Sequence, residues 1–130
     1  MEPPWIAIVD DDPFVLRGLA RLLRTRAFHP RTFESAEAFL GALSEGLPRC
    51  LIVDLQMPDM SGLELQKHLS RRGIEIPTIV ITAHGEGHAR ERCECAGTIA
   101  FLKKPVQEAS LFAAIQKASE PSSESGDGPR

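Results

Sequence analysis

Two hydrophobic patterns alternate along the chain. In one, apolar residues run together without polar interruption; in the other, they recur every three or four positions. Trp5-Ile6-Ala7-Ile8-Val9, Cys50-Leu51-Ile52-Val53, Thr78-Ile79-Val80-Ile81 and Thr98-Ile99-Ala100-Phe101-Leu102 are of the first kind. Such runs read as strands covered on both faces. Residues 29–33 form a fifth, weaker strand. Val15, Leu16, Leu19, Leu22 and Leu23 keep helical spacing, with Asp12 as N-cap and Pro13 at the first helical position. This helix fades near Arg26-Ala27. Ser35 caps a second helix that turns Phe39, Leu40 and Leu43 inward, and Gly46 and Pro48 close that unit. A third helix, over about 63–72, buries Leu63, Leu69 and either Leu65 or Gln66, and stops at Gly73. Residues 83–87 read as a loop feeding a short fourth helix to Ala96. After Lys103-Lys104-Pro105, Leu111, Phe112, Ile115 and Ala118 mark a fifth.

Strand and helix alternate five times, which predicts βαβ units and a doubly wound α/β domain with helices on both faces of a parallel sheet. The expected domain spans 1–119. From 120 onward the chain turns to Pro, Ser, Gly and acidic residues, a composition for a flexible tail or the start of a linker. A length of 130 residues suits a single domain. The net charge of −3 and arginines scattered along the sequence give no basic stripe, so no direct nucleic-acid binding is expected. No apolar run approaches the ~20 residues of a membrane span, no signal peptide opens the chain, and three cysteines make no disulfide framework. The expectation is a soluble cytoplasmic domain with free thiols.

Four of the strands run into polar residues: Asp10 and Asp11, Asp54, Thr82, and Lys104. In an open parallel sheet, ligands sit beyond the carboxyl ends of the strands. Three carboxylates, a hydroxyl and an ammonium at one edge form an oxygen-rich set that suits Mg²⁺. A free carboxylate beside such an ion, with a Lys and a hydroxyl, is equipped for phosphoryl transfer.

The motifs Val9-Asp10-Asp11, Val53-Asp54-Leu55-Gln56-Met57-Pro58-Asp59-Met60-Ser61-Gly62, Ile81-Thr82-Ala83 and Lys104-Pro105 resemble a response-regulator receiver domain of two-component signalling. They are most similar to the FixJ-type transcriptional regulators. The resemblance covers about residues 5–119 and implies a flavodoxin-like five-stranded sheet of order 2-1-3-4-5 with five helices. It implies that Asp54 takes a phosphoryl group from a sensor histidine kinase. Asp11 would then bind Mg²⁺ directly, Asp10 through a metal-bound water, and Gln56 through its backbone carbonyl. Lys104 would pair with the phosphoryl oxygens and be joined to Pro105 by a cis bond. Thr82 and Phe101 would act as the switch pair, with small Ala83 leaving room, and the Gln56 side chain would influence phosphate loss. The resemblance further implies a phosphorylation-controlled switch rather than an enzyme. Its homodimer face would be the fourth helix, fifth strand and fifth helix, and its transcriptional output would lie in a DNA-binding domain absent from this chain.

Other readings compete with this one. His84, His88, Cys93 and Cys95 fall within twelve residues, but their spacing lacks the CxxC of a structural zinc site. Asp10-Asp11-Asp12 after a strand also satisfies the Asp-Xaa-Asp of haloacid-dehalogenase-like phosphatases. That alternative needs more chain and leaves Asp54 and its loop unexplained. A flavin site lacks its phosphate loop. A receiver fold that signals without phosphate would not need the intact acceptor, metal and Lys positions.

Overall fold

The computed structural model describes residues 4–58, 60–83 and 98–119. In chain order these form β1 (Ile6–Val9), α1 (Pro13–Arg24), β2 (Pro30–Phe33), α2 (Ala36–Ala42), β3 (Cys50–Asp54), α3 (Gly62–Arg71), β4 (Thr78–Thr82), β5 (Thr98–Lys103) and α4 (Glu108–Ser119), with a 3₁₀ turn at Leu43–Glu45. All strand pairs are parallel, in the order β2-β1-β3-β4-β5. The expected doubly wound sheet is present. The short helix expected to end at Ala96 and the tail over 120–130 lie outside the described residues; α4 is therefore the fifth helix of the sequence pattern.

Alternation of side chains across the strands accounts for the uninterrupted apolar runs. Ala7, Val9, Leu51, Val53 and Val80 enter one core with Phe39 of α2 and Leu65 and Leu69 of α3. Ile6, Ile8, Ile52, Ile79 and Ile81 enter the other with Leu16, Leu19 and Leu23 of α1 and Leu111 and Ile115 of α4. Among the described residues each face is covered by a pair of helices, so neither can be polar. Burying each of the Val, Leu, Ile and Phe side chains contributes about 1.5–3 kcal/mol before entropy is counted.

Local chemistry sets the helix ends. The Asp12 carboxylate accepts from the Phe14 N–H at 2.9 Å, with Pro13 opening α1. Ser35 caps α2 through the Ala38 N–H. Ser61 and Glu64 form a reciprocal capping box at α3. Both Leu65 and Gln66 are buried, so neither alternative excludes the other; Gln66 donates from Nε2 to the Thr98 hydroxyl at 2.8 Å. Small differences from expectation occur at strand ends. Trp5 is buried but precedes β1, β2 starts at Pro30, and β5 continues through Lys103 before Lys104-Pro105 breaks it.

Candidate functional site

Register places the polar strand ends side by side. Val9 pairs with Val53, so Asp10 and Asp54, the next residues, are neighbours where the strand order reverses. Asp54 pairs with Ile81 and Thr82 with Lys103, which carries Thr82 and Lys104 to the same edge. Two backbone bonds tie this edge together: the Leu55 N–H donates to the Ile81 carbonyl at 2.8 Å, and the Lys104 N–H to the Thr82 carbonyl at 2.7 Å.

Lys104 is the central cation. Its Nζ lies 3.0 Å from Asp10 Oδ2 and 3.4 Å from Asp54 Oδ2. The second contact is a hydrogen bond. The first is a close ion pair without hydrogen-bond alignment, so the fully buried Asp10 Oδ2 accepts no hydrogen bond. The other Asp10 oxygen accepts from the Asp12 N–H at 2.9 Å, and Asp54 Oδ1 accepts from the Gln56 N–H at 3.3 Å. Asp10, Asp11 and Asp54 offer carboxylate oxygens that all lie within 4.8 Å of one another, with Asp11 exposed and the other two buried. Three carboxylates facing one ammonium leave a formal excess of two negative charges. Among the described residues this is the only clustered set of three or more metal-ligating side chains.

The electrostatics follow from burial first and crowding second. Burial raises the Asp54 pKa above its usual value and the charge of Asp10 raises it further, while Lys104 and the Gln56 N–H pull it down without cancelling the rise. Mutual repulsion of the acids is thus the smaller cause. For Lys104, burial is the largest single influence and disfavours the charge. Contact with Asp10 and the charge of Asp54 outweigh it, and the pKa is raised.

Asp12 caps α1, as its position predicts, and is exposed. Gln56, Ala83 and Lys103 are exposed, Thr82 is fully buried at the end of β4, and Phe101 is half-buried on β5 against the α2/α3 core. The Lys104–Pro105 bond is cis. His84, His88, Cys93 and Cys95 lie outside the described residues. Cys50 is buried in β3, and desolvation pushes its thiol up to about 12 despite Arg49 and the Leu51 N–H, so it is inert as a nucleophile.

The role of Gly62 is visible only in three dimensions. A Cβ there would meet the Asp54 carbonyl oxygen at 2.8 Å and the Leu55 Cα at 3.2 Å. Its N–H donates to the Leu55 carbonyl at 2.9 Å. The chain folds back onto the end of β3 so closely that no side chain fits. A Gly after Pro58 reads in sequence as a turn; the close approach does not show there.

The response regulator protein TmoT of Ectopseudomonas mendocina is 42% identical over 113 residues, 87% of this chain and 51% of that protein. The transcriptional regulatory protein FixJ of Rhizobium meliloti is 40% identical over 115 residues, 88% of this chain and 56% of that one. The chain thus spans about half the length of the curated relatives it matches. The crystal structure of FixJ-N superposes with a TM-score of 0.83 at 39% identity, covering 92% of this chain and 95% of the other. Residues 6–116 match the family model of the response regulator receiver domain. With its sheet order, its acidic strand ends and the lysine between them, the chain belongs to the receiver domains of two-component response regulators.

Proposed function

We propose that Asp54 is the phosphoacceptor of a signalling switch and takes its phosphoryl group from a phosphohistidine of a sensor kinase. The observation that carries this reading is the Lys104 ammonium set between Asp10 and Asp54 at 3.0 and 3.4 Å, inside a cluster of three acids. An Asp54 oxygen attacks phosphorus, the O–P bond forms as the P–N bond breaks, and the electron pair returns to the imidazole nitrogen. Lys104 follows the charge, shifting from the carboxylates to the phosphoryl oxygens. Thr82, whose carbonyl is bonded to the Lys104 N–H, turns its hydroxyl to the phosphoryl group, and Phe101 packs inward behind it. The exposed Gln56 side chain sets how readily water reaches the acyl phosphate, and the same pocket assists both transfer and hydrolysis.

The acidic cluster fits Mg²⁺. Its all-oxygen donors and formal excess of two negative charges, left after Lys104 is counted, suit a hard divalent cation. Asp11 and Asp54 would hold the ion directly, Asp10 through a metal-bound water, and the Gln56 carbonyl would complete the protein's share. When bound, the ion neutralises charge on the transferring phosphoryl oxygens.

The likeness to FixJ, a transcriptional regulatory protein, supports a transcriptional output, carried by a domain other than this one. Incubation with acetyl phosphate and Mg²⁺, followed by intact-mass measurement, tests the assignment. Wild type is expected to gain one phosphoryl mass and Asp54→Asn none. Absence of the gain in wild type, or its persistence in the variant, rejects Asp54 as acceptor.

A further inference from the structure

Outside the acidic pocket, a concentration of unpaired charge lies on α1. Arg17, Arg21 and Arg24 recur at intervals of four and three residues and so share one helix face. On α1 these three arginines do form a basic stripe, which corrects the expectation that the arginines only scatter. With the buried Ala20 and with Thr32 of the edge strand β2, they line a groove of about 240 Å³. Among the described residues none of the three makes an ion pair; Arg17 stands over the Phe14 ring at 4.7 Å. Arg21 and Arg24 lie in the last turn, where the helix favours cations. Arg17 lies outside that turn and gains nothing from it. Three exposed guanidiniums thus face one groove in a chain of net charge −3, a local concentration of positive charge open to an anion.

We propose that this groove binds an oligophosphate, free or as the phosphate chain of a nucleotide. Guanidinium forks match phosphate oxygens in pairs, and the Thr32 hydroxyl adds a donor at the groove wall. The formal charge of +3 suits a pyrophosphate or triphosphate better than a single carboxylate. The volume is below the roughly 300–1,000 Å³ of pockets that enclose drug-sized organic ligands, but it accommodates a phosphate chain. The groove lies on the β2 side of α1. Beyond the end of the helix, Arg26 pairs with Glu108 of α4.

The test is a titration of the ¹⁵N-labelled chain in Mg²⁺-free, low-salt buffer with tripolyphosphate, ATP, a hexaglutamate peptide or a short DNA duplex. Without the ion, the negative Asp10/Asp11/Asp54 pocket repels these probes. Tripolyphosphate is expected to shift amides around Arg17, Arg21, Arg24 and Thr32, with affinity falling as salt rises. Arg21→Gln should weaken binding about 5–10-fold, with partial recovery in Arg21→Lys. Asp54→Asn should bind as wild type does, which separates this site from the phosphoacceptor. ATP binding equal to tripolyphosphate assigns the phosphate chain alone, and tighter binding assigns a nucleotide. No shifts, shifts mapping elsewhere, an unaffected Arg21→Gln, or hexaglutamate or DNA binding as tightly as tripolyphosphate overturns the proposal.

Discussion

Asp54 and Gly62 show how a single position can serve the site at the expense of the fold, or be barred from change by it. Burial and the nearby Asp10 hold the Asp54 carboxyl above its usual pKa, so ionising it destabilises the folded state. Below the unfolded-state value of roughly 3.9 both states are protonated and no penalty exists. The penalty grows as pH rises toward the raised folded-state value and is complete above it. Asp54→Asn removes the charge and keeps the shape, while Lys104 retains Asp10 at 3.0 Å. In Mg²⁺-free buffer at pH 7 the variant should melt higher, by on the order of 1 kcal/mol or a few degrees. Calorimetry across pH should show the difference vanishing near pH 3.5; a difference independent of pH contradicts the argument. Gly62 is the opposite case. Backbone atoms of Asp54 and Leu55 occupy the space of its missing Cβ, and backbone cannot rotate aside as a side chain can. Gly62→Ala should cost about 2–3 kcal/mol in denaturant melts and slow phosphorylation by acetyl phosphate, because the displaced atoms belong to the acceptor itself.

Among the elements, α1 and α3 end by the same device with different residues. At Gly73, φ is 73°, and the N–H groups of Gly73 and Ile74 return to the carbonyls of Ser70 and Leu69. At Ala27, φ is 64°, and Ala27 and Phe28 return to Arg24 and Leu23 in the same way. Glycine takes this left-handed conformation freely, whereas alanine pays about 1 kcal/mol for its Cβ. Ala27→Gly should therefore stabilise the domain by roughly 0.5–1 kcal/mol, read as a higher urea midpoint with unchanged slope. The apolar runs at 6–9, 50–53 and 78–81 are legible as strands because both sheet faces are covered. The Asp12 cap and the inward Leu16, Leu19 and Leu23 are legible because periodicity and capping are local properties. Asp10, Asp11, Asp54 and Lys104 are legible as a set because strand ends in a parallel sheet share an edge. Gly62 and the Arg17/Arg21/Arg24 groove are not, since each depends on a distance between elements: a loop folded against β3, and α1 lying along β2.

For the molecule as a whole, the sheet is unevenly buried, and the imbalance falls where a switch needs it. Every residue of β1, β3 and β4 is buried, whereas Thr98 through Leu102 of β5 are half-buried and Lys103 is exposed. β5 is also an edge of the sheet and carries Phe101 and the turn to Lys104. A phosphoryl group on Asp54 would draw on Lys104 and Thr82, whose backbones are bonded across β4 and β5, so the change is delivered to this edge. A half-buried apolar strand beside α4 can gain further burial by meeting a second copy through a two-fold axis. We therefore expect the Mg²⁺- and beryllofluoride-loaded chain to double its mass in light scattering, with the free chain monomeric. Phe101→Ala should weaken that association at least several-fold, because the inward turn of Phe101 reshapes the edge, without preventing phosphorylation, since its side chain packs against the α2/α3 core and not among the acids. A mass unchanged on loading would confine the switch to contacts with other proteins; doubling that survives Phe101→Ala would show that the association does not need the inward turn of Phe101.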